Sequence, residues 1–159
     1  MIELSLIGVR VELPSNHPIV LLKEVDGDRY LPIWIGAVEA TAIAFALQGI
    51  QTPRPLTHDL LRDILNETNT AVERVVINDL VEQTFYATIR MAANAGNSEV
   101  SSRPSDAIAL AVRINAPIFA SEEVLEQAGI ELRDDEETEV EKFREFLDQV
   151  TPEDFAGNA

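Results

Sequence analysis

Cysteine is absent from all 159 residues. That excludes a disulfide scaffold, a thiolate metal site and a cysteine nucleophile. Basic charge is scarce as well. Twelve lysines and arginines stand against 28 acids, a formal net charge of −16, which argues against a generic polyanion binder with a long electrostatic groove. Aromatic residues make up 6% of the chain and only one is tryptophan, so extended base-stacking surfaces are not expected. No apolar run approaches the ~20 residues of a membrane-spanning helix, and no membrane partner is expected. Met1 leads directly into Ile2, Leu4 and Leu6 without a basic leader region; the expected compartment is therefore cytoplasmic. The strong catalytic signatures are missing too: no Walker loop, no GxGxxG after a strand, no HExxH, no GxSxG and no EF-hand loop.

The hydrophobic fraction of 46% and charged fraction of 25% suit one globular domain with a real core. The acidity is uneven. Residues 134–159 hold ten acids and two bases, a net of −8, whereas residues 1–121 hold fourteen acids and nine bases, a net of −5. This divides the chain into a domain over 1–133 and an acidic tail over 134–159. Within the tail, Val140, Phe143, Leu147 and Val150 recur at helical spacing, predicting an amphipathic helix over 136–150. Ten of the twelve bases are arginine, the side chain suited to two-pronged contacts with carboxylate or phosphate.

Alternation of Ile2, Leu4 and Leu6, then Val9, Val11 and Leu13, predicts a first strand broken by a bulge at Gly8. A turn over 14–18 leads to a buried strand over 19–25. Asp26-Gly27-Asp28 is a hairpin signal, and Arg29 to Ile35 return. Tyr30 and Trp34 lie four apart on this strand and share a face, as core residues or as a stacking platform. Ala37 to Gln48 read as a helix ending at Gly49, with so many small side chains that something must approach it closely. A second helix is expected from Thr57, as N-cap, to Glu67. Strands follow over 73–79 and 83–91 about a turn at Leu80-Val81-Glu82, and a short strand over 98–101. Pro104 opens a helix to about Asn115. A short strand over 117–120 and a helix starting at Ser121 complete an α+β pattern: a mostly antiparallel or mixed sheet with helices packed on it.

Two local arrangements carry chemistry. In Thr52-Pro53-Arg54-Pro55-Leu56-Thr57-His58-Asp59 and again in Ser102-Arg103-Pro104-Ser105-Asp106, an Arg-Pro turn feeds a helix start that contains an aspartate. Helix N-termini favour anions, and an arginine beside one adds a donor fork. Arg54 and Arg103 are thus candidate phosphate-binding groups. Asp59, Asp106 and Glu39, the last in the first turn of the alanine-rich helix, are candidate catalytic or metal-binding carboxylates. Their hard oxygen donors would select Mg2+ or Mn2+. His58 is a candidate general base. The same residues also admit a structural reading, in which the aspartates satisfy helix starts and the arginines pair with acids such as Glu39.

Three segments in order, Leu31-Pro32-Ile33-Trp34-Ile35-Gly36 with Glu39-Ala40, Arg54-Pro55-Leu56-Thr57-His58-Asp59-Leu60 and Ser102-Arg103-Pro104-Ser105-Asp106-Ala107-Ile108-Ala109-Leu110-Ala111, resemble the bifunctional nuclease domain family over about residues 1–130. The resemblance implies an α+β domain, often dimeric, acting on DNA and RNA. By motif match it carries over Glu39, Arg54, His58, Asp59, Arg103 and Asp106. Some relatives carry a UVR-type module after this domain; none is expected among these residues. The chain departs at Ser101, where the family pattern places an acid two positions before the second arginine; if that acid is a metal ligand, one ligand is missing here. Two functions are thus expected to compete. One is a nuclease whose helix starts converge on a phosphate. The other is a non-catalytic homo-oligomeric binding or regulatory domain, whose arginines and aspartates form a salt-bridge lattice and whose alanine-rich and tail helices build the subunit interface.

Overall fold

The computed structural model describes residues 1–12 and 17–132. The expected tail helix and the boundary at 133/134 lie outside them. Strand β1 (Ile2–Glu12) pairs antiparallel with β2 (His17–Glu24). Their register slips between Leu6 and Gly8. The slip explains the sequence pattern: Leu4 is buried before it and Ile7 and Val9 after it, because one extra residue exchanges the inward phase from even to odd positions. Strand β3 (Arg29–Trp34) returns beside β2 through the Asp26-Gly27 turn. The Glu24 carboxylate closes that turn by accepting from the Arg29 backbone N–H, and it also accepts from the Arg29 guanidinium.

Helix α1 (Ala37–Leu47) starts at Gly36 and ends before Gly49, which takes the positive φ of 67° expected of a residue just past a helix. Helix α2 (Thr57–Glu67) is capped at Leu56, one residue earlier than expected, and Thr57 is its first helical residue. The Leu56 N–H donates to the Asp59 carboxylate at 3.0 Å. The third-position acid thus reaches back to the N–H of the cap residue, the return half of a capping box, and no threonine hydroxyl caps the helix.

Strands β4 (Ala71–Val81) and β5 (Thr84–Ala93) form a longer hairpin than expected. The turn is Glu82-Gln83, both with positive φ (50° and 64°), rather than Leu80-Val81-Glu82. Two left-handed residues match the right-handed twist of the flanking strands. Strand β6 (Gly96–Ser102) extends the sheet and delivers the chain to α3 (Pro104–Ile114). After α3 come β7 (Ile118–Ala120), α4 (Glu122–Ala128) and β8 (Ile130–Glu131). The Ser121 hydroxyl caps α4 by accepting from the Val124 N–H at 3.2 Å.

The eight strands make one sheet in the order β6-β5-β4-β7-β1-β2-β3-β8. All neighbours are antiparallel except β4 and β7. This is the mixed sheet with packed helices that the pattern predicts. Strand β8, absent from the sequence reading, pairs only with Arg29 and Tyr30. Two residues are too few to show a period. Helix α3 lies on β4 and β5, α1 lies on β1 and β2, and both α1 and α2 pack on α3. Ala40, Ala42 and Ala44 of α1 and Ala107, Ala109 and Ala111 of α3 are buried. The close neighbour implied by the alanines of α1 is thus α3 of the same chain. No helix among the described residues is long and apolar enough to cross a membrane.

Candidate functional site

Glu39, Asp59 and Asp106 each occupy the third position of a helix, in α1, α2 and α3. The local chemistry is equivalent, yet the fold gives them different partners. Arg103, the N-cap residue of α3, donates from Nε to Asp106 Oδ2 at 2.8 Å and from Nη2 to Glu39 Oε1 at 2.9 Å. Asp106 Oδ1 lies 2.9 Å from His58 Nε2. A chain Glu39–Arg103–Asp106–His58 thus joins the starts of all three helices. Its members differ in exposure: the Arg103 side chain is 66% exposed, whereas His58 is 7% exposed.

The helix starts converge through His58 and Asp106, but Asp59 and Arg54 do not join this chain, which corrects the expectation that both arginines and all three carboxylates meet in one place. Asp59 Oδ1 instead accepts from Arg113 Nε at 2.7 Å. Arg113 also donates to Ala109 O at 2.8 Å and to Ala42 O at 3.0 Å, with its side chain only 5% exposed. It fastens α1, α2 and α3 together at the other side of the helix layer. Arg54 is exposed and makes no ion pair among the described residues. Its flanking prolines line a cleft of about 420 Å³ beside Asp59 and Arg113, and the Thr52 hydroxyl holds the turn by donating to the Arg54 carbonyl.

Arg113 escaped the sequence reading. A basic residue in the last turn of a helix is ordinary, and the one signal was its place at the end of an otherwise apolar run, Ala107 to Val112. Trp34 and Tyr30, which share a strand face in the sequence, are separated by their surroundings. Tyr30 is in the core at 5% exposure and Trp34 is 57% exposed. Strand β8 flanks Tyr30 but stops short of Trp34, whose ring makes an edge-type contact with that of His17, at 6.2 Å and 83°.

The charges follow from these contacts. For Asp106, burial raises the carboxyl pKa, but hydrogen bonds from Arg103 and His58 and the charge of Arg103 outweigh it and leave a net lowering. Burial likewise raises Asp59, and Arg113, the Leu56 N–H and Arg62 bring it below its ordinary 3.8. Both groups are acids depressed in the folded state, so their stabilisation is complete above the unfolded value and is lost as pH falls through the folded one. Wild-type protein is therefore expected to lose thermal stability from about pH 4 downward, and Asp59→Asn to flatten that slope. Melting temperatures between pH 3 and 6 test this; parallel curves for the two proteins would refute it.

The three candidate metal carboxylates fit one divalent ion poorly in this arrangement. The Arg103 guanidinium bridges Glu39 and Asp106, where a cation would have to sit, and Asp59 is committed to Arg113. Among the described residues, no three His, Asp or Glu side chains are grouped to hold a metal. Ser101 lines a cavity of about 380 Å³ together with Arg103 and Asp106, so an acid at that position would have added a carboxylate to this cavity.

Comparison with known proteins supplies the family context. The family described as the bifunctional nuclease domain matches residues 20–133. An uncharacterized protein of Mycobacterium tuberculosis is 49% identical, over 96% of this chain and 97% of its own length. Bifunctional nuclease 1 of Arabidopsis thaliana is 29% identical over 65% of this chain and 33% of its own length. Bifunctional nuclease 1 of Oryza sativa subsp. japonica is 28% identical over 74% of this chain and 36% of its own length. The chain thus spans about a third of these plant relatives.

Proposed function

We propose that this chain, which belongs to the bifunctional nuclease domain family, hydrolyses phosphodiester bonds in DNA or RNA at Arg103, the exposed member of the Glu39–Arg103–Asp106–His58 cluster. The observation that carries the reading is an arginine fixed by two carboxylates yet open to solvent. Two of its five N–H donors are used, by Asp106 and Glu39. Both hydrogens on Nη1 and one on Nη2 stay free for the oxygens of a phosphate, and they can hold the charge that builds there as water attacks.

Asp106 is the partly exposed end of the proton-handling pair and His58 the buried end. Water attacks phosphorus, its proton passes to the pair, and the departing sugar oxygen takes a proton from solvent. His58 acts here as a positioning residue: it aims Asp106 and shares the proton's charge. Since Arg103 lies between Glu39 and Asp106, no step is routed through a metal ion, and Mg2+ or Mn2+ enters as an arm of the assay. The negative net charge fits a site that grips one phosphate rather than a long stretch of backbone.

The test is cleavage of single-stranded DNA and RNA by extensively purified protein in EDTA, Mg2+ and Mn2+, beside identically prepared Asp106→Asn. Loss of about 10²- to 10⁴-fold in the variant is expected from removing a proton-handling group. Equal activity in the two preparations would sink the proposal.

A second reading, a homo-oligomeric binding domain without catalysis, draws on α1. Val38 and Leu47 remain exposed on a helix apolar almost throughout, as at a subunit interface. That reading requires Arg103 to matter for stability or assembly and not for cleavage.

A further inference from the structure

On one side of Arg103 lies a cavity of about 350 Å³ whose walls come from distant strands. Trp34, at the end of β3, and Phe85, at the start of β5, supply aromatic surface. Gln83 and Thr84, in and just after the tight turn between β4 and β5, supply an amide and a hydroxyl. Arg103 and Pro104 form the side that faces the candidate site. Three features set this cavity apart from an ordinary surface hollow. Its volume is at the lower end of the ~300–1,000 Å³ of small-ligand sites, enough for one flat ring system and too small for a helix of nucleic acid. Its indole is mostly uncovered, with an edge-type contact to His17. The polar side chains of Gln83 and Thr84 make no hydrogen bond to other described residues.

We propose that this cavity is a nucleobase subsite: Trp34 stacks the unpaired base next to the phosphate held by Arg103, which makes single-stranded nucleic acid the substrate class. The proposal rests on the phosphodiesterase reading of Arg103 and extends it to the choice of strand. A base has two faces for stacking and an edge for hydrogen bonds. Trp34 offers the face, and Gln83 and Thr84 can each both donate to and accept from the edge. In a duplex both faces are covered by neighbouring pairs and the edge is engaged by the complement. Stacking on an aromatic side chain is thus open to unpaired bases of any sequence. The strongly acidic chain has little to offer a duplex backbone, so a base contact beside a single anchored phosphate is the affinity available to it. The left-handed Glu82-Gln83 turn holds the opposite wall in place.

Trp34 is the sole tryptophan in the 159 residues, so its emission reports on this cavity alone. The test titrates the whole chain with a short thymidylate strand and with the same strand annealed to its complement, both carrying phosphorothioate linkages to resist cleavage. Intrinsic emission and the anisotropy of a labelled copy are read together. Quenching by the single strand and none by the duplex is expected. Trp34→Ala should weaken single-strand binding roughly 5- to 150-fold, the usual worth of one stacked base, and Trp34→Phe should recover most of it. Far-UV circular dichroism of each variant checks the fold, and an exposed strand end should tolerate both substitutions. If the strand binds and Arg103→Ala abolishes binding, but emission and the affinity of Trp34→Ala stay unchanged, the base subsite is overturned while the phosphate reading stands. If the wild-type chain binds neither strand, both fall. If Trp34→Ala alters the mass measured by light scattering and leaves binding intact, Trp34 belongs to a contact between copies and the subsite is overturned.

Discussion

Replacing Arg113 with alanine is expected to cost about 3–5 kcal/mol of stability, the usual penalty for breaking a buried ion pair from one side. The melting temperature should fall by roughly 10–15 °C. Arg113 is nearly sealed from solvent, and three acceptors depend on it: Asp59 on α2, Ala42 O on α1 and Ala109 O on α3. Its removal leaves two carbonyls without their side-chain donor and strands Asp59 beside a cavity. The loss should be larger than that from Asp59→Asn, which keeps an acceptor for the guanidinium. The double change Asp59→Leu with Arg113→Met should recover part of it, because the buried charges then leave together. Chemical denaturation of the three variants measures this directly. A loss under about 1 kcal/mol for Arg113→Ala would mean that the cluster is solvated and does not tie the helices.

Arg103→Ala is expected to behave in the opposite way. Its side chain is mostly exposed, and exposed ion pairs contribute little, about 1 kcal/mol or less. The variant should fold and melt within a few degrees of wild type. Cleavage should nevertheless fall about 10²- to 10³-fold in kcat/KM, the usual cost of losing one donor aimed at developing charge. Arg54→Ala should leave cleavage within about threefold of wild type, a loss too small for a group that holds the reacting phosphate. Arg54 makes no contact with the chain that joins Glu39, Arg103, Asp106 and His58. A lysine at position 103 should restore only part of the activity, because one point charge cannot satisfy Asp106, Glu39 and a phosphate together.

These two arginines show what the sequence could reveal and where it stopped. Local signals were legible. The phase change at Gly8, the Asp-Gly turn, the glycine after α1 and the proline that opens α3 are each decided within a few residues, and the structure has them. The sheet class followed from hairpin spacing. Pairing across distance was not legible. Asp59 and Asp106 both stand at the third position of a helix after a proline turn, and the one local difference is the distance to the preceding arginine, three residues for Asp106 and five for Asp59. The distinction is made by Arg113, 54 residues from Asp59, and by Glu39, 64 residues from Arg103. The two Arg-Pro turns look alike in sequence and differ in outcome. One arginine is the N-cap residue of its helix, while Arg54 precedes the Leu56 cap by two residues and points away. Strand β8 was invisible because two residues carry no pattern. The exposure of Trp34 was hidden because it depends on which elements, distant in sequence, pack over the end of β3.

The division of labour also sorts the two functional readings. Both clusters tie the helices together: the Asp59–Arg113 cluster joins the start of α2 to the last turn of α3 and the middle of α1, and the Glu39–Arg103–Asp106–His58 chain joins the three helix starts. The second chain has a different character: Glu39 and Asp106 hold the Arg103 guanidinium at the surface, whereas Asp59 holds Arg113 buried. The central claim is that this second cluster is a reacting site. Its most direct test is one preparation of Arg103→Ala, measured beside wild type for both thermal stability and cleavage of single-stranded DNA and RNA. A melting temperature within a few degrees of wild type, together with cleavage reduced at least a hundredfold, is the predicted result. Undiminished cleavage by the variant, or a wild-type protein that cleaves nothing beside a variant whose melting temperature falls sharply, would contradict the account.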